Sequence, residues 1–309
     1  MTIKSTLYPV FGKACRLIGG KGIGNLPGVR AFYATLFRHL WPGEKVIEIQ
    51  GSKMYVDFEK LPEPYQETFR SYITSRNWEE PTTAMFKRVV KEGDIVLDLG
   101  ANIGYFTLLA TRLVGNKGKV YAFEPEPTNY SLLTKNIELN GYDNVIPEQK
   151  AVSNVKGMTK LFLSDKDTGA HTLRQHHAER EFATKQLGKF VEVESVVLDE
   201  YFEDREQSIN VIKMDIEGAE MAALSGMDRI LKQNQDLKIF SEFYPSAIRE
   251  FGDLPEEFAS KLMDDYHFSI SAIDYIPKRA KGYVKVNSVD ELMSLLKGQE
   301  VVNLFLERR

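Results

Sequence analysis

The segment VLDLGANIGY, residues 96–105, combines an acid and two glycines in a pattern that could hold a cofactor. It begins as an apolar strand, turns at Gly100 and Gly104, and continues into a helical pattern that Gly115 is placed to end. The glycines let the backbone turn sharply and let a ligand approach it closely. Because a strand, a turn and a helix in this order leave backbone N–H groups at the carboxyl edge of a sheet, we predict that a nucleoside-type cofactor binds there.

Glu124 indicates which cofactor the glycine turn holds. It lies twenty residues after Gly104, at the end of a predicted strand, where its carboxylate can accept hydrogen bonds from both hydroxyls of a ribose. The turn reads D-x-G-A-N-x-G rather than G-x-G-x-x-G, and Asp98 beside it would repel a pyrophosphate and attract a cation. A cofactor with a ribose and a positive charge is therefore predicted, which favours S-adenosylmethionine over NAD. The alternative is a glycine turn that binds nothing.

A second group of polar residues follows the apolar segment NVIKMD, residues 210–215. This segment is predicted to be a buried strand, and the carboxyl edge of a parallel sheet would bring Asp215 into the same crevice as the glycine turn. There Asp215 could hold a substrate hydroxyl or the amino group of the cofactor. The alternative, a solvated turn before a helix, explains Glu220 as an N-terminal acid but does not explain Lys213 within an apolar strand.

Glu80, Ala151 and His171 are further candidates for the site. Glu80 opens a predicted helix, either as an ordinary solvated acid or as a group that reaches the ammonium of a bound amino acid. Ala151 lies at the end of the third predicted strand and would flank an adenine ring. His171 lies in the irregular segment 164–190, either solvated or as a general base, since its ordinary pKa of about 6.5 suits proton removal at neutral pH.

The sequence predicts no metal site. His171, His176 and His177 form neither a His-x-x-x-His nor a His-x-His pattern. The single cysteine, Cys15, excludes an internal disulfide framework and a cysteine-based metal site, and it suits a reducing cytosol. No secretory signal and no membrane-spanning apolar stretch is visible, so we expect a cytoplasmic protein.

The distribution of charge argues against a nucleic acid as the partner. The formal net charge is −4, but residues 1–43 hold six basic residues and no acidic one. The remaining 34 basic and 44 acidic residues give the rest of the chain a charge of −10. A body of this charge does not offer the clustered Lys and Arg that contacts to phosphates need.

Residues 1–79 are predicted to form an extension before a catalytic domain at 80–309. Apolar residues recur at helical spacing over 28–41, with basic residues off the apolar stripe. This amphipathic helix would pack on the catalytic domain or on a dimer partner, or it would contact anionic lipid at a membrane surface. An alternating hairpin over 45–59, with Gly51 and Ser52 in its turn, and a helical segment follow it.

The elements after the glycine turn alternate between strands and helices, which predicts a mostly parallel sheet. The third strand is predicted over 145–152, later strands over 157–163 and 237–242, and one helix over 219–231. With 309 residues and 43% hydrophobic composition, the chain can form one large α/β domain. We expect about seven strands, with helices on both faces of the sheet.

Together these motifs resemble the FkbM family of S-adenosylmethionine-dependent methyltransferases. The resemblance covers roughly residues 80–309 and rests on E-P-x-T, D-L-G-A-N-I-G-Y, A-F-E-P, K-N-I-E-L-N-G and, most specifically, K-M-D-I-E-G-A-E at 213–220. The family implies a Rossmann-like class I methyltransferase fold with a seven-stranded sheet. It usually implies O-methylation of a hydroxyl on a sugar, a lipid or a secondary metabolite.

The resemblance also implies roles for individual residues. Five residues of the glycine turn would surround the methionine part of the cofactor: Asp98, Gly100, Ala101, Asn102 and Gly104. Glu124 would take the ribose hydroxyls, and Asp215 and Glu217 would line the site. For acceptance of the hydroxyl proton we predict Asp215 or His171, with Glu217 as a further catalytic candidate.

Three functions are compatible with these residues. The first is O-methylation of a small-molecule, glycan or lipid acceptor. The second is methylation of tRNA or another RNA, because A-F-E-P followed by K-N-I-E-L-N also resembles enzymes that methylate tRNA bases; the acidic body and the lack of an Asn/Asp-Pro-Pro-Tyr motif weaken it. The third is a non-enzymatic, S-adenosylmethionine-binding module that associates with a membrane through residues 1–43.

Overall fold

The computed structural model describes residues 44–57, 78–164, 171–173, 189–205, 208–273, 282–296 and 300–308. The chain divides into two compact units, Met1–Trp78 and Glu79–Arg309. The predicted amphipathic helix over 28–41 and the basic segment at 1–43 lie outside the described residues. Among the helices that are described, none has the length and apolar composition needed to cross a membrane.

The described part of the first unit contains an antiparallel hairpin of β1 (Glu44–Ile49) and β2 (Ser52–Asp57). Gln50 and Gly51 form the turn, with φ angles of 55° and 81°. Two consecutive residues with positive φ are typical of the tight turn that matches the twist of a hairpin. The predicted hairpin is confirmed, but its turn lies one residue earlier than expected, since Ser52 already pairs with Ile49.

The second unit contains strands from two sheets. They are β3 (Ile95–Leu99), β4 (Lys119–Phe123), β5 (Val145–Glu148), β6 (Lys150–Val152), β7 (Gly157–Phe162), β8 (Phe190–Val196), β9 (Val211–Met214), β10 (Lys238–Phe243), β11 (Phe268–Ile273), β12 (Tyr283–Val286) and β13 (Val302–Arg308). Its α-helices are α1 (Glu80–Val89), α2 (Tyr105–Val114), α3 (Pro127–Asn140), α4 (Leu198–Tyr201), α5 (Glu220–Gly226), α6 (Asp228–Gln233), α7 (Pro245–Phe251), α8 (Pro255–Ser260) and α9 (Val289–Leu295). The second unit also contains a 3₁₀ turn at Gly115–Lys117 and a π-helical turn at Lys261–Asp265.

The larger sheet has the strand order β12-β11-β13-β10-β9-β3-β4-β5 in the described residues. The five strands from β10 to β5 are parallel, and the other three add antiparallel pairs. The chain runs from β3 outward to β5 and then returns to β9 on the other side of β3. In open α/β sheets a ligand crevice forms at such a switch in direction, outside the carboxyl ends of the strands.

The apolar runs that identify β3 and β9 in the sequence are buried in the centre of this sheet. Val96, Leu97 and Leu99 are fully buried, as are the apolar residues of β9. Central parallel strands are covered on both faces, so their sequences are almost continuously apolar instead of alternating. In the register of the two strands, Leu99 pairs with Met214, so the residues after them leave the sheet side by side.

The predicted third strand over 145–152 is wrong in one respect, because it is two strands in different sheets. The strand β5 forms the edge of the larger sheet, where Pro147 is tolerated because one side of an edge strand needs no N–H donor. After Gln149 the chain enters a three-stranded sheet of order β6-β8-β7. The predicted strand over 157–163 belongs to this small sheet as β7.

Three other elements differ from the predictions. The helix expected over 219–231 is two helices, because α5 ends at Gly226, where an added Cβ would lie 2.2 Å from the carbonyl oxygen of Ser153. The strand expected to end at Glu242 continues to Phe243, so Glu242 lies within β10. The larger sheet has eight described strands instead of seven, since β12 was not predicted.

Candidate cofactor and acceptor site

The glycine turn after β3 is tied to the end of β4. The backbone N–H groups of Gly100 and Ala101 both donate to the carbonyl oxygen of Phe123 at 3.0 Å. Gly100 has a φ of 83°, and an added Cβ would lie 1.8 Å from the backbone oxygen of Asp215. Only glycine fits here, because the backbone after β3 and the backbone after β9 are in direct contact.

Glu124 is held at the end of β4 by three donors. Its Oε2 accepts from the backbone N–H of Asn102 at 2.7 Å, and its Oε1 accepts from the N–H of Glu126 at 2.9 Å and from Nδ2 of Asn129 at 3.4 Å. Burial raises the pKa of this carboxyl to about 7. A carboxylate has about four acceptor positions, so Oε2 keeps room for a hydroxyl donor such as that of a ribose.

Asp98 anchors the helix after the glycine turn. The carboxyl is buried, and its Oδ2 accepts a hydrogen bond from the hydroxyl of Thr107 in α2 at 2.5 Å. Burial raises its pKa to about 6. Asp98 is not among the residues that line the cleft described below, so its predicted contact with the methionine part of the cofactor stays a prediction.

Lys213 and Asp215 form a buried ion pair at the end of β9. Nζ of Lys213 lies 2.9 Å from Oδ2 of Asp215 and 5.1 Å from the ring centroid of Phe106. Burial alone lowers the pKa of Lys213, but the charges of Asp215 and Glu79 raise it above its ordinary value. Lys213 is therefore charged inside an apolar strand, which a merely solvated turn does not explain.

Asp215, Glu217 and Glu242 form an acidic cluster beside this pair. Carboxylate oxygens of the three residues all lie within 4.8 Å of one another, and each side chain is partly buried. Burial and then the charges of Asp215 and Glu217 raise the pKa of Glu242 well above its ordinary value. Glu242 was not predicted as a site residue; the signal that could have found it is an acid within an apolar strand.

One cleft brings the predicted motifs together. Its lining includes Gly100, Asn102, Glu124, Ala151, Asp215 and Glu217. Ala101 and Gly104 support the turn without lining this cleft, and Gly104 precedes the first residue of α2. Four separate parts of the sequence thus converge at the crevice that the strand order predicts.

Glu80 opens a helix, as the sequence predicts. It is the first residue of α1, is exposed, and is not among the residues that line the cleft. Its neighbour Glu79 accepts a hydrogen bond from Nδ2 of Asn303 at 3.1 Å and acts electrostatically on Lys213. A role for Glu80 in cofactor binding stays a prediction.

His171 lines the cleft, but its hydrogen bonding does not favour the role of a general base. Its Nδ1 accepts from the backbone N–H of Ser164 at 3.0 Å. A neutral ring that accepts at Nδ1 carries its proton at Nε2, so Nε2 is a donor. The neighbouring Thr172 donates its hydroxyl to the backbone oxygen of Glu217 at 3.0 Å, which fixes His171 beside the acidic cluster.

The residues of the cleft fit S-adenosylmethionine. Glu124 offers an acceptor for a ribose hydroxyl, and the acidic cluster suits a cationic group. Val152, Leu161 and Leu173 give the cleft an apolar wall near Ala151 that could cover an adenine ring.

The strand order, the glycine turn and the acid after the next strand define a Rossmann-like class I methyltransferase. Residues 98–284 match the Methyltransferase FkbM domain, and the chain belongs to this family. It is an S-adenosylmethionine-dependent methyltransferase, so the predicted family, cofactor and enzyme class are confirmed. The non-enzymatic interpretation is not retained.

Several characterised proteins are similar to the chain. Methyltransferase sdnD of Sordaria araneosa is 30% identical over 177 residues, which cover 50% of this chain and 68% of that protein. The hexuronic acid methyltransferase AglP of Haloferax volcanii is 26% identical over 155 residues, 50% of this chain and 58% of that protein. A tRNA(Phe) (4-demethylwyosine(37)-C(7)) aminocarboxypropyltransferase of Methanocaldococcus jannaschii is 35% identical over 92 residues, 29% of this chain and 36% of that protein.

Proposed function

We propose that this enzyme transfers the methyl group of S-adenosylmethionine to a hydroxyl oxygen of a sugar, a lipid or another small molecule. The observation that carries the proposal is the acidic cluster beside the glycine turn. Carboxylates accept hydrogen bonds from hydroxyl groups, and they repel phosphates and carboxylates. An acceptor rich in hydroxyls and poor in negative charge therefore fits this cleft best.

The chemistry divides between the cofactor and the chain. The bound cofactor supplies a methyl group that its sulfonium already activates. The chain has to place the acceptor oxygen in line with that group and take up the hydroxyl proton, as the methyl moves from sulfur to oxygen. Positioning of this kind contributes about 7–11 kcal/mol to lowering a barrier.

Asp215 is assigned the contact with the acceptor hydroxyl. Lys213 holds one carboxylate oxygen of Asp215, which fixes the orientation of the group. Of the two residues predicted to accept the proton, Asp215 is favoured over His171, because Nδ1 of His171 already accepts from Ser164. Nε2 of His171 instead suits donation to an acceptor oxygen.

The names of the similar proteins support part of the proposed acceptor class. The name of the Haloferax volcanii relative indicates a sugar acid as its acceptor, which supports a sugar-type acceptor here but not the low negative charge that the acidic cluster favours. The tRNA-modifying relative shares only 92 residues with the chain, and the acidic cluster disfavours phosphate at the cleft. Contact of residues 1–43 with a membrane or with a second copy stays a prediction, as does the cytoplasmic location.

The test is transfer of a labelled methyl group to defined pools of acceptors. The full chain is incubated with methyl-labelled S-adenosylmethionine and neutral oligosaccharides, hydroxylated lipids, uronic acids or tRNA. Label that enters a neutral pool as an alkali-stable ether supports the proposal. Label that alkali releases as methanol identifies a carboxyl acceptor, and label confined to tRNA identifies RNA; either result contradicts the proposal.

A further inference from the structure

The acidic cluster has the geometry of a cation site. Its three members lie on two neighbouring elements, since Asp215 and Glu217 follow β9 while Glu242 lies within β10. With oxygens within 4.8 Å of one another, all three can reach one ion, because carboxylate ligands lie about 2.0–2.6 Å from Mg²⁺ or Ca²⁺. We propose that Asp215, Glu217 and Glu242 bind a divalent cation of the Mg²⁺, Mn²⁺ or Ca²⁺ class.

A fourth carboxylate supports this site independently. Glu220 is 2% exposed, and its Oε1 accepts from the backbone N–H groups of Gly218 and Ile216 at 3.3 and 3.4 Å. Among the described residues its Oε2 has no hydrogen-bond partner. Ile216 and Gly218 flank Glu217 in the chain, so the buried carboxylate of Glu220 lies against the loop that carries Glu217.

The charges in this region also favour a bound cation. Three carboxyl groups meet in the acidic cluster, Glu220 lies against its loop, and Lys213 pairs with Asp215. Lys213 bonds Oδ2 of Asp215, and the two acceptor positions of Oδ1 can take the ion and the acceptor hydroxyl. A divalent ion would offset the repulsion that the four groups otherwise exert on one another.

The oxygen-only ligand set decides the class of metal. Carboxylates are hard ligands that suit Mg²⁺, Mn²⁺ and Ca²⁺ better than metals that prefer sulfur or imidazole. Each carboxylate of the cluster is only partly buried, so water can complete the coordination shell. Histidine patterns do not mark this site in the sequence, because its ligands are acids that follow β9 or lie within β10.

The cation would act on the acceptor side of the cleft, an assignment that rests on the proposed function. Asp215 and Glu217 line the same cleft as Gly100, so an ion held by them faces the bound acceptor. A hydroxyl oxygen that coordinates a divalent ion loses its proton more readily. The site would thus select acceptors with a hydroxyl that can ligate the ion.

The site can be tested without cofactor or acceptor by titrating the metal-stripped full chain with Mn²⁺. Electron paramagnetic resonance measures the unbound ion at each step. We expect one saturable Mn²⁺ per chain, which Mg²⁺ displaces. Glu242→Gln and, separately, Glu217→Gln should weaken binding by about tenfold or more, since removing a charged ligand lowers affinity. The control Glu256→Gln removes an exposed acid paired with Arg249 and should bind as the wild type does.

Two results would overturn the metal site. One is the absence of saturable Mn²⁺ binding by the wild type, and the other is binding that both cluster variants retain in full while circular dichroism shows them folded. Neither result affects hydroxyl methylation, which the labelled-methyl assay measures separately. Conversely, Mn²⁺ binding together with label found only in tRNA would contradict the proposed function and leave the metal site standing.

Discussion

Lys213 and Asp215 form an ion pair of 2.9 Å at the end of a central strand, although Lys213 is only 1% exposed. The pair lies where β9 and β3 end side by side, directly against the glycine turn. A buried ammonium persists only where carboxylates compensate it. The pair thus links the stability of the central sheet to the arrangement of the methyl-transfer site.

Replacement of Lys213 should destabilise the fold. Lys213→Met keeps the length of the side chain but leaves Asp215 and Glu79 without the buried cation between them. We expect a loss of about 3 kcal/mol in the free energy of unfolding, measured by urea denaturation. Lys232→Met is the control, because that lysine forms an exposed pair with Asp228, and it should cost at most about 1 kcal/mol. Equal effects of the two changes would contradict the account of Lys213.

Replacement of Gly100 should abolish binding of the cofactor. In Gly100→Ala the new Cβ would lie 1.8 Å from the backbone oxygen of Asp215, so the turn or the end of β9 must move. Gly93→Ala is a matched control, because Gly93 has a φ of 88° and nothing within 4 Å of the added atom. The control should cost about 1–2 kcal/mol of stability from backbone strain alone and keep S-adenosylmethionine binding. Calorimetric titration of both variants checks this, and binding by Gly100→Ala would contradict it.

Replacement of Asp215 should affect turnover more than cofactor affinity. Asp215→Ala removes the group assigned to the acceptor hydroxyl, and we expect turnover to fall by about 100-fold or more. The dissociation constant for S-adenosylmethionine should change far less, since the glycine turn and Glu124 remain. Unchanged turnover on the true acceptor would remove Asp215 from the mechanism.

The raised pKa of Glu124 should make stability depend on pH. Burial raises the pKa of its carboxyl from 4.5 to about 7, so the folded chain keeps a proton that the unfolded chain has already released. The contribution of Glu124 to stability therefore falls as pH rises from about 4.5 to about 7, by about 2 kcal/mol between pH 5.5 and 7.5. Urea denaturation at these two pH values should show a larger loss for the wild type than for Glu124→Gln. An equal loss in both proteins would show that Glu124 does not hold the proton.

The features that the sequence predicted correctly are those that local pattern determines. The apolar run into Gly100 predicts both the strand and the turn, because a buried parallel strand and a positive φ each leave a local trace. Asp215 could be placed beside Gly100 because parallel strands end at one edge of the sheet. The hairpin turn was misplaced by one residue, since Gln50 carries no comparable signal for its positive φ.

The features that the sequence missed depend on contacts between distant parts of the chain. Glu242 joins the acidic cluster because β10 pairs with β9, a neighbour relation that no local pattern specifies. The helix α5 ends at Gly226, where the chain packs closely against Ser153. For His171 the sequence allows a solvated side chain or a general base, and only its contact with the N–H of Ser164 shows that Nδ1 is already an acceptor.

Calorimetric titration with S-adenosylmethionine and with NAD tests whether the glycine turn and Glu124 hold the cofactor. We expect binding of S-adenosylmethionine but not of NAD, and loss of that binding in Glu124→Ala. Glu138→Gln, which removes an exposed acid of α3, should bind as the wild type does. Undiminished binding of S-adenosylmethionine by Glu124→Ala would contradict the assignment of the cofactor to this cleft.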